Sequence, residues 1–251
     1  MYDALSFHEK ALAIREATLP ANHPHLATSY NNMAQEYEVT GKYLEALTFY
    51  QKALDILEKT LPVNDSSLCI LNNNMGMIFC TLEDYSKALP FLEKALHARQ
   101  TALPQNHPDL ALSYQNIGFA YKNNGEYTKA LSSLEEALKI REQIFSSDHP
   151  DVASNYNIIG SVYDQMADYS KAFEFLNRAL FIRQKVLPAN HPHLAASYHN
   201  MGTLYDHMEE YAKALDYFQK TLAIWQLTFS ANHPQLDKLN ESIENVKKNL
   251  E

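Results

Sequence analysis

The chain has 251 residues, 46% of them hydrophobic and 11% aromatic, with a formal net charge of −9 and 2 cysteines. That is ample apolar surface for a folded chain, while the acidic balance argues against nucleic acid or an anionic membrane as the main partner, since both require clustered Lys and Arg. There is no run of about 18 apolar residues and no basic start leading into an apolar stretch, so neither a membrane span nor a signal peptide is expected, and the default compartment is the cytoplasm.

Near-copies of Leu103-Pro104-Gln105-Asn106-His107-Pro108 begin at Leu19, Leu61, Leu103, Phe145, Leu187 and Phe229, each 42 residues after the last. A constant period marks stacked units that bury their apolar faces against one another. It predicts a single array over 1–251, all-α and built from about 12 helices. Residues 1–18 read as the second helix of a unit that lacks its first, because Ala11 aligns with Ala53 and Met1 takes the place of Tyr43. A start in mid-repeat predicts a fragment of a longer protein, or self-association through this open half-repeat.

Five full units follow at 25–61, 67–103, 109–145, 151–187 and 193–229. Helix A is expected at 25–40, 67–82, 109–124, 151–166 and 193–208, and helix B at 43–61, 85–103, 127–145, 169–187 and 211–229. In the third unit Pro108 suits a first helical position, Asn106 or His107 is placed to cap it, and Tyr114, Ile117, Gly118 and Tyr121 form one stripe. Gly125 ends helix A in a left-handed turn, and Tyr127, Ala130, Leu131, Leu134, Ala137 and Leu138 stripe helix B. Small residues recur where the helices must approach, at Ala34, Gly76, Gly118, Gly160 and Gly202 in helix A and at Ala46, Ala88, Ala130, Ala172 and Ala214 in helix B. Enlarging such a residue, as in Ala130→Leu, is expected to destabilise by about 1–3 kcal/mol.

The second unit departs from its siblings with Asn64-Asp65-Ser66 in the linker, Asn72 in an aromatic slot and Pro90 inside helix B, where a kink is expected. Thr221 replaces the last helix B alanine. Residues 235–250 read as a capping helix, with Glu244 in the small-residue slot and Lys238, Glu241, Lys247 and Lys248 making it polar. Cys69 and Cys80 lie on one helix, roughly 16 Å apart at 1.5 Å per residue. They cannot bridge each other, which fits a reducing compartment.

The order Tyr198, Met201, Gly202, Tyr205, then Tyr211, Ala214 and Phe218, resembles the tetratricopeptide pattern. The 42-residue length, the Asn-His-Pro linker, and the phrases Tyr30-Asn31-Asn32-Met33-Ala34 and Ala137-Leu138-Lys139-Ile140-Arg141-Glu142 resemble kinesin light chain repeats in particular. The resemblance covers nearly the whole chain. It implies a right-handed superhelical solenoid of antiparallel helix hairpins, and a concave groove lined by helix A that binds peptide.

On the helix A arc opposite the packing stripe, the third unit carries Leu112, Gln115, Asn116, Phe119 and Asn123. Asn32, Asn74, Asn116 and Asn200 form one row, interrupted by Ile158, and Asn31, Asn73, Gln115, Asn157 and His199 form a second. Side-chain amides offer both donor and acceptor, so a ladder of them suits the backbone of an extended peptide; bonding within the array is the plainer alternative. Asparagines at matching places contact cargo peptide in the light chain relatives, as the resemblance implies. Ile70, Met77, Leu112 and Phe119 could form an apolar pocket or pack between helices, and Lys122 could hold a carboxylate.

The recurring His23, His107, His149, His191 and His233 read as helix starters, since one histidine per repeat cannot build a zinc site. Arg15, Arg99, Arg141 and Arg183, late in helix B, read as surface cations near the negative helix end, with Leu57 and Trp225 breaking the series. No catalytic constellation, cofactor or metal site is expected. The leading expectation is a non-catalytic interaction scaffold for a protein or peptide partner; the rivals are a kinesin light chain-type cargo adaptor and a regulatory or targeting array of a larger enzyme.

Overall fold

The computed structural model describes residues 4–230 and 233–251. Met1, the expected counterpart of Tyr43, and Asn232 of the last linker lie outside the described residues. Among the described residues all regular structure is helical: α1 (Ala4–Thr18), α2 (Pro24–Val39), α3 (Tyr43–Thr60), α4 (Ser66–Thr81), α5 (Tyr85–Ala102), α6 (Pro108–Asn123), α7 (Tyr127–Ile144), α8 (Pro150–Gln165), α9 (Tyr169–Val186), α10 (Pro192–His207), α11 (Tyr211–Thr228) and α12 (Pro234–Leu250). The expected helices fall within a residue or so of these bounds. They group into two compact units, Met1–Glu126 with α1 to α6 and Tyr127–Glu251 with α7 to α12.

Each helix A begins by the same device. His23, His107, His149, His191 and His233 are extended residues whose Nδ1 accepts the N–H two residues on, at 3.1–3.3 Å. The cap is therefore the histidine of the linker and not its asparagine. In the second repeat Asp65 takes over, accepting from Ser67 at 2.8 Å. Each helix A ends in a left-handed residue: Gly41 at φ 74° and Gly125 at φ 81°, but Glu83, Ala167 and Glu209 at 59–60°. The following N–H closes back five residues, as in Lys42 N to Tyr37 O at 2.8 Å and Asp168 N to Tyr163 O at 2.9 Å, which satisfies the last carbonyls.

Within a hairpin the small residues sit at close, buried approaches, as the spacing predicts. Ala46, Ala88, Ala130, Ala172 and Ala214 are all at 0% exposure. A Cβ added at Gly76, Gly160 or Gly202 would fall 2.6–2.7 Å from Leu92, Leu176 or Phe218 respectively. Helix α5 continues through Pro90 as one element, with Pro90 and Ser86 both exposed, so the carbonyl that loses its partner is beside water. Cys69 and Cys80 are free, buried thiols, and burial pushes both above the ordinary thiol range.

The arginines correct the sequence reading. Arg141 and Arg183 are buried, at 4% and 3% exposure. Arg183 Nη1 donates to His193 O at 2.9 Å and Ser197 Oγ at 2.7 Å, in the first two turns of the next helix A. Arg141 reaches Asp151 O and Asn155 in the same way, Arg99 reaches Asp109 O and Ser113, and Arg15 reaches His25 O and Ser29. These guanidiniums clamp one repeat to the next. A signal for this was present in the sequence. Fourteen residues after each arginine stands Ser29, Ser113, Asn155 or Ser197, whereas Leu57 and Trp225 are followed at the same distance by Leu71 and Leu239. Where the clamp is missing, both members turn apolar and join the core of their own unit.

Candidate functional site

In the first unit, Asn31, Asn32, Asn73, Asn74, Met77, Gln115, Phe119 and Lys122 on α2, α4 and α6 are half-buried. Asn116 is more enclosed, at 9% exposure, and its Nδ2 donates to Asn73 Oδ1 at 3.1 Å, tying α6 to α4. Asn74 Nδ2 lies 3.4 Å from the Tyr50 hydroxyl of α3, at the long limit of a hydrogen bond. An amide carries two N–H donors and two acceptor lone pairs, so one such bond exhausts neither Asn73 nor Asn74. Asn123 returns its Nδ2 to Phe119 O at 2.9 Å.

The four apolar side chains of this face do not share one environment. Ile70 and Leu112 stand exposed, at 49% and 42%. Met77 and Phe119 are partly buried against the cluster that includes Leu92 and Ile117. Lys122 Nζ lies 5.5 Å from the centroid of the Phe119 ring, close enough for a cation–π contact. The unit thus presents half-exposed amides, two open aliphatic side chains and one cation along its A helices.

In the second unit the corresponding positions are Asn157, His199 and Asn200, all half-buried. The His199 ring stacks on Trp225 of α11 at 5.4 Å and lies 5.8 Å from Phe218. Burial holds its imidazole below the ordinary range, against an opposing hydrogen bond with Asn200. Asn157 Oδ1 is buried and has no hydrogen-bond partner among the described residues. A link the sequence did not single out joins α10 to α8, where His207 Nδ1 meets the buried Asp164 Oδ1 at 2.8 Å. Its signal is spacing. Asp164 and His207 are 43 residues apart, as are Asn73 and Asn116, one repeat plus one residue. Among the described residues no three His, Cys, Asp or Glu side chains gather as a metal site would, and no helix is long and apolar enough to cross a membrane.

The Tetratricopeptide repeat family model matches residues 1–59, 109–185, 175–227 and 193–237, and a second model of the same description matches 73–109. No curated protein sequence matches the chain. Among solved structures the chain is similar to the nearly identical TPR-like repeats described as kinesin light chain from Podosopora anserina, at 23% identity and TM-score 0.66, over 83% of this chain and 99% of that one. It is also similar to BtubC (BKLC) from P. vanneervenii, at 21% identity and TM-score 0.67, over 92% and 94% of the two chains. The apo form of RapI shares 16% identity and gives a TM-score of 0.69, over 98% of this chain and 91% of that one. At these identities the likeness is one of fold.

Proposed function

The chain belongs to the tetratricopeptide repeat family, a family of protein-interaction scaffolds, and on that premise we propose that its first unit binds an extended segment of a partner protein along α2, α4 and α6. The observation that carries this reading is the coexistence, on those helices, of half-exposed amides with the open side chains of Ile70 and Leu112. Asn31, Asn32, Asn73 and Asn74 would pair with backbone N–H and C=O groups without reading sequence. Ile70 and Leu112 would supply apolar contact, and Lys122 would favour an acidic residue at the edge. Asn116 acts through Asn73, which it holds in place.

The test is a displayed library of extended peptides selected on the whole chain, with the selected peptides measured by fluorescence anisotropy. Because Ile70 and Leu112 are exposed, Ile70→Ser/Leu112→Ser is expected to shift stability by no more than about 0.5 kcal/mol. It should weaken the selected peptides by about tenfold or more. Equal binding by that double variant and by Asn31→Ala/Asn32→Ala would refute the reading. The narrower role of a kinesin light chain-type cargo adaptor is favoured by the 42-residue repeat and by the likeness in fold to the Podosopora anserina repeats.

A further inference from the structure

Four of the five full repeats carry a tyrosine at one helix A position, and the second does not. Tyr30, Tyr114, Tyr156 and Tyr198 each have their hydroxyl met by the side chain fourteen residues earlier. Tyr30 donates to Glu16 at 2.8 Å and Tyr156 to Glu142 at 3.0 Å, while Gln100 and Gln184 donate to Tyr114 and Tyr198 at 2.9 and 3.3 Å. In three repeats a helix B cation also covers the ring: Lys52 over Tyr30 at 5.4 Å, Arg178 over Tyr156 at 5.8 Å and Lys220 over Tyr198 at 5.9 Å.

The second repeat keeps every part of this socket except the ring. Asn72 replaces the tyrosine, Glu58 stands fourteen residues before it, and Lys94 is the counterpart of Lys52. With no ring between them, Lys94 Nζ and Glu58 Oε1 come to 3.4 Å. These two side chains, with Leu61, Val63, Leu68, Asn72 and His97, line a cavity of about 350 Å³, the size of a small ligand pocket. Asn72 is buried at 6% exposure and its Nδ2 donates to Leu68 O at 2.8 Å. Its Oδ1 is buried and accepts no hydrogen bond among the described residues. A buried acceptor without a donor is costly, and this one belongs to a side chain lining the cavity.

We infer that this cavity binds a para-hydroxyphenyl group supplied by another molecule, in the place that tyrosine fills in the sibling repeats. Glu58 accepts the phenol hydroxyl, as Glu16 and Glu142 do for Tyr30 and Tyr156. Lys94 lies over the ring face, and Leu61 and Leu68 flank it. The Glu58 carboxylate favours phenol over plain phenyl, because only the hydroxyl offers it a donor in addition to Lys94. The socket is formed by α3, α4 and α5 around helix B residues Glu58 and Lys94, so it is separate from the peptide face proposed on α2, α4 and α6.

The test titrates the whole chain, methyl-labelled for NMR, with p-cresol, toluene and a capped Gly-Tyr-Gly peptide. The expected result is that p-cresol and the peptide shift the methyls of Leu61, Val63 and Leu68, and that toluene binds about tenfold more weakly than p-cresol. Asn72→Tyr places the missing ring in the cavity and should abolish these shifts; four sibling repeats with tyrosine indicate that it folds. Glu58→Leu, at an exposed position, should erase the preference for p-cresol over toluene. A peptide that binds more tightly than p-cresol assigns the ring to a partner chain, and the reverse order assigns it to a small phenol; both uphold the site. Absence of shifts in the wild type, shifts that persist in Asn72→Tyr, or equal binding of toluene would overturn the inference. Peptides selected for the A-helix face should bind Asn72→Tyr unchanged, so the two readings fail independently.

Discussion

Arg183 holds the first two turns of α10 through His193 O and Ser197 Oγ, and Ser154 Oγ of α8 at 3.3 Å, from a position at 3% exposure. Arg183→Ala would leave a buried hydroxyl and a carbonyl without their donor and would open a void, an expected loss of about 2–4 kcal/mol in urea unfolding. A loss below about 0.5 kcal/mol would mean the clamp is ornamental. Tyrosines set the alkaline limit. Burial, followed by the hydrogen bond to Glu16, pushes Tyr30 up to about 12 from 10.0, and Tyr50 and Tyr121 are pushed further by burial and by Glu38 and Glu93. A raised folded pKa gives stability that is complete below the unfolded value and lost above it. The urea midpoint should therefore hold steady up to about pH 9.5 and fall by pH 11, as tyrosinate absorbance appears. Arg183, lowered to about 10 by burial, works in the opposite direction over that window, but as one group against several.

At the scale of the helix hairpin, two positions put backbone and packing in opposition. Ala167 sits at φ 59°, where Gly41 and Gly125 sit in sibling turns. Nothing lies within 4 Å of a Cβ built on either glycine, so they serve conformation and not space. Ala167→Gly should therefore raise stability by about 1 kcal/mol, read as a higher melting temperature. Gly160 is the converse. Alanine there would gain about 1 kcal/mol of helix propensity. Its Cβ, however, would fall 2.7 Å from Leu176 Cγ and 3.0 Å from the Leu176 backbone nitrogen. The backbone atom cannot yield cheaply, so packing wins and Gly160→Ala should cost about 1–3 kcal/mol with the urea m-value unchanged. Both sites were legible as small or turn-forming positions from the 42-residue spacing. The sign of each substitution needed the φ angle and the identity of the facing side chain.

Across the molecule, what the period carries is the helix frame, because the caps and turns that start and stop helices are local and recur in register. What it does not carry is the sideways offset between helices. That offset pairs Asn116 with Asn73 and lays His199 on Trp225, so the rows of amides could be placed on their helices but not assigned their bonds. Stability should be just as uneven. A left-handed non-glycine residue and a buried orphaned amide oxygen occur in both units, but among the described residues the first alone holds the cavity at Asn72 and a proline, Pro90, inside a helix. In stacked repeats each unit contributes its own stability and its neighbour terms, so α4 and α5 are expected to open before the hairpins of the second unit. Trp225, the single tryptophan, packs half-buried against the core of that second unit and reports on it alone, whereas far-UV circular dichroism sums all the helices. In urea the dichroism midpoint should fall below that of Trp225 fluorescence, and Asn72→Tyr should draw the two together. Coincident transitions in the wild type would show one cooperative molecule and remove the argument that the second repeat is its weak point.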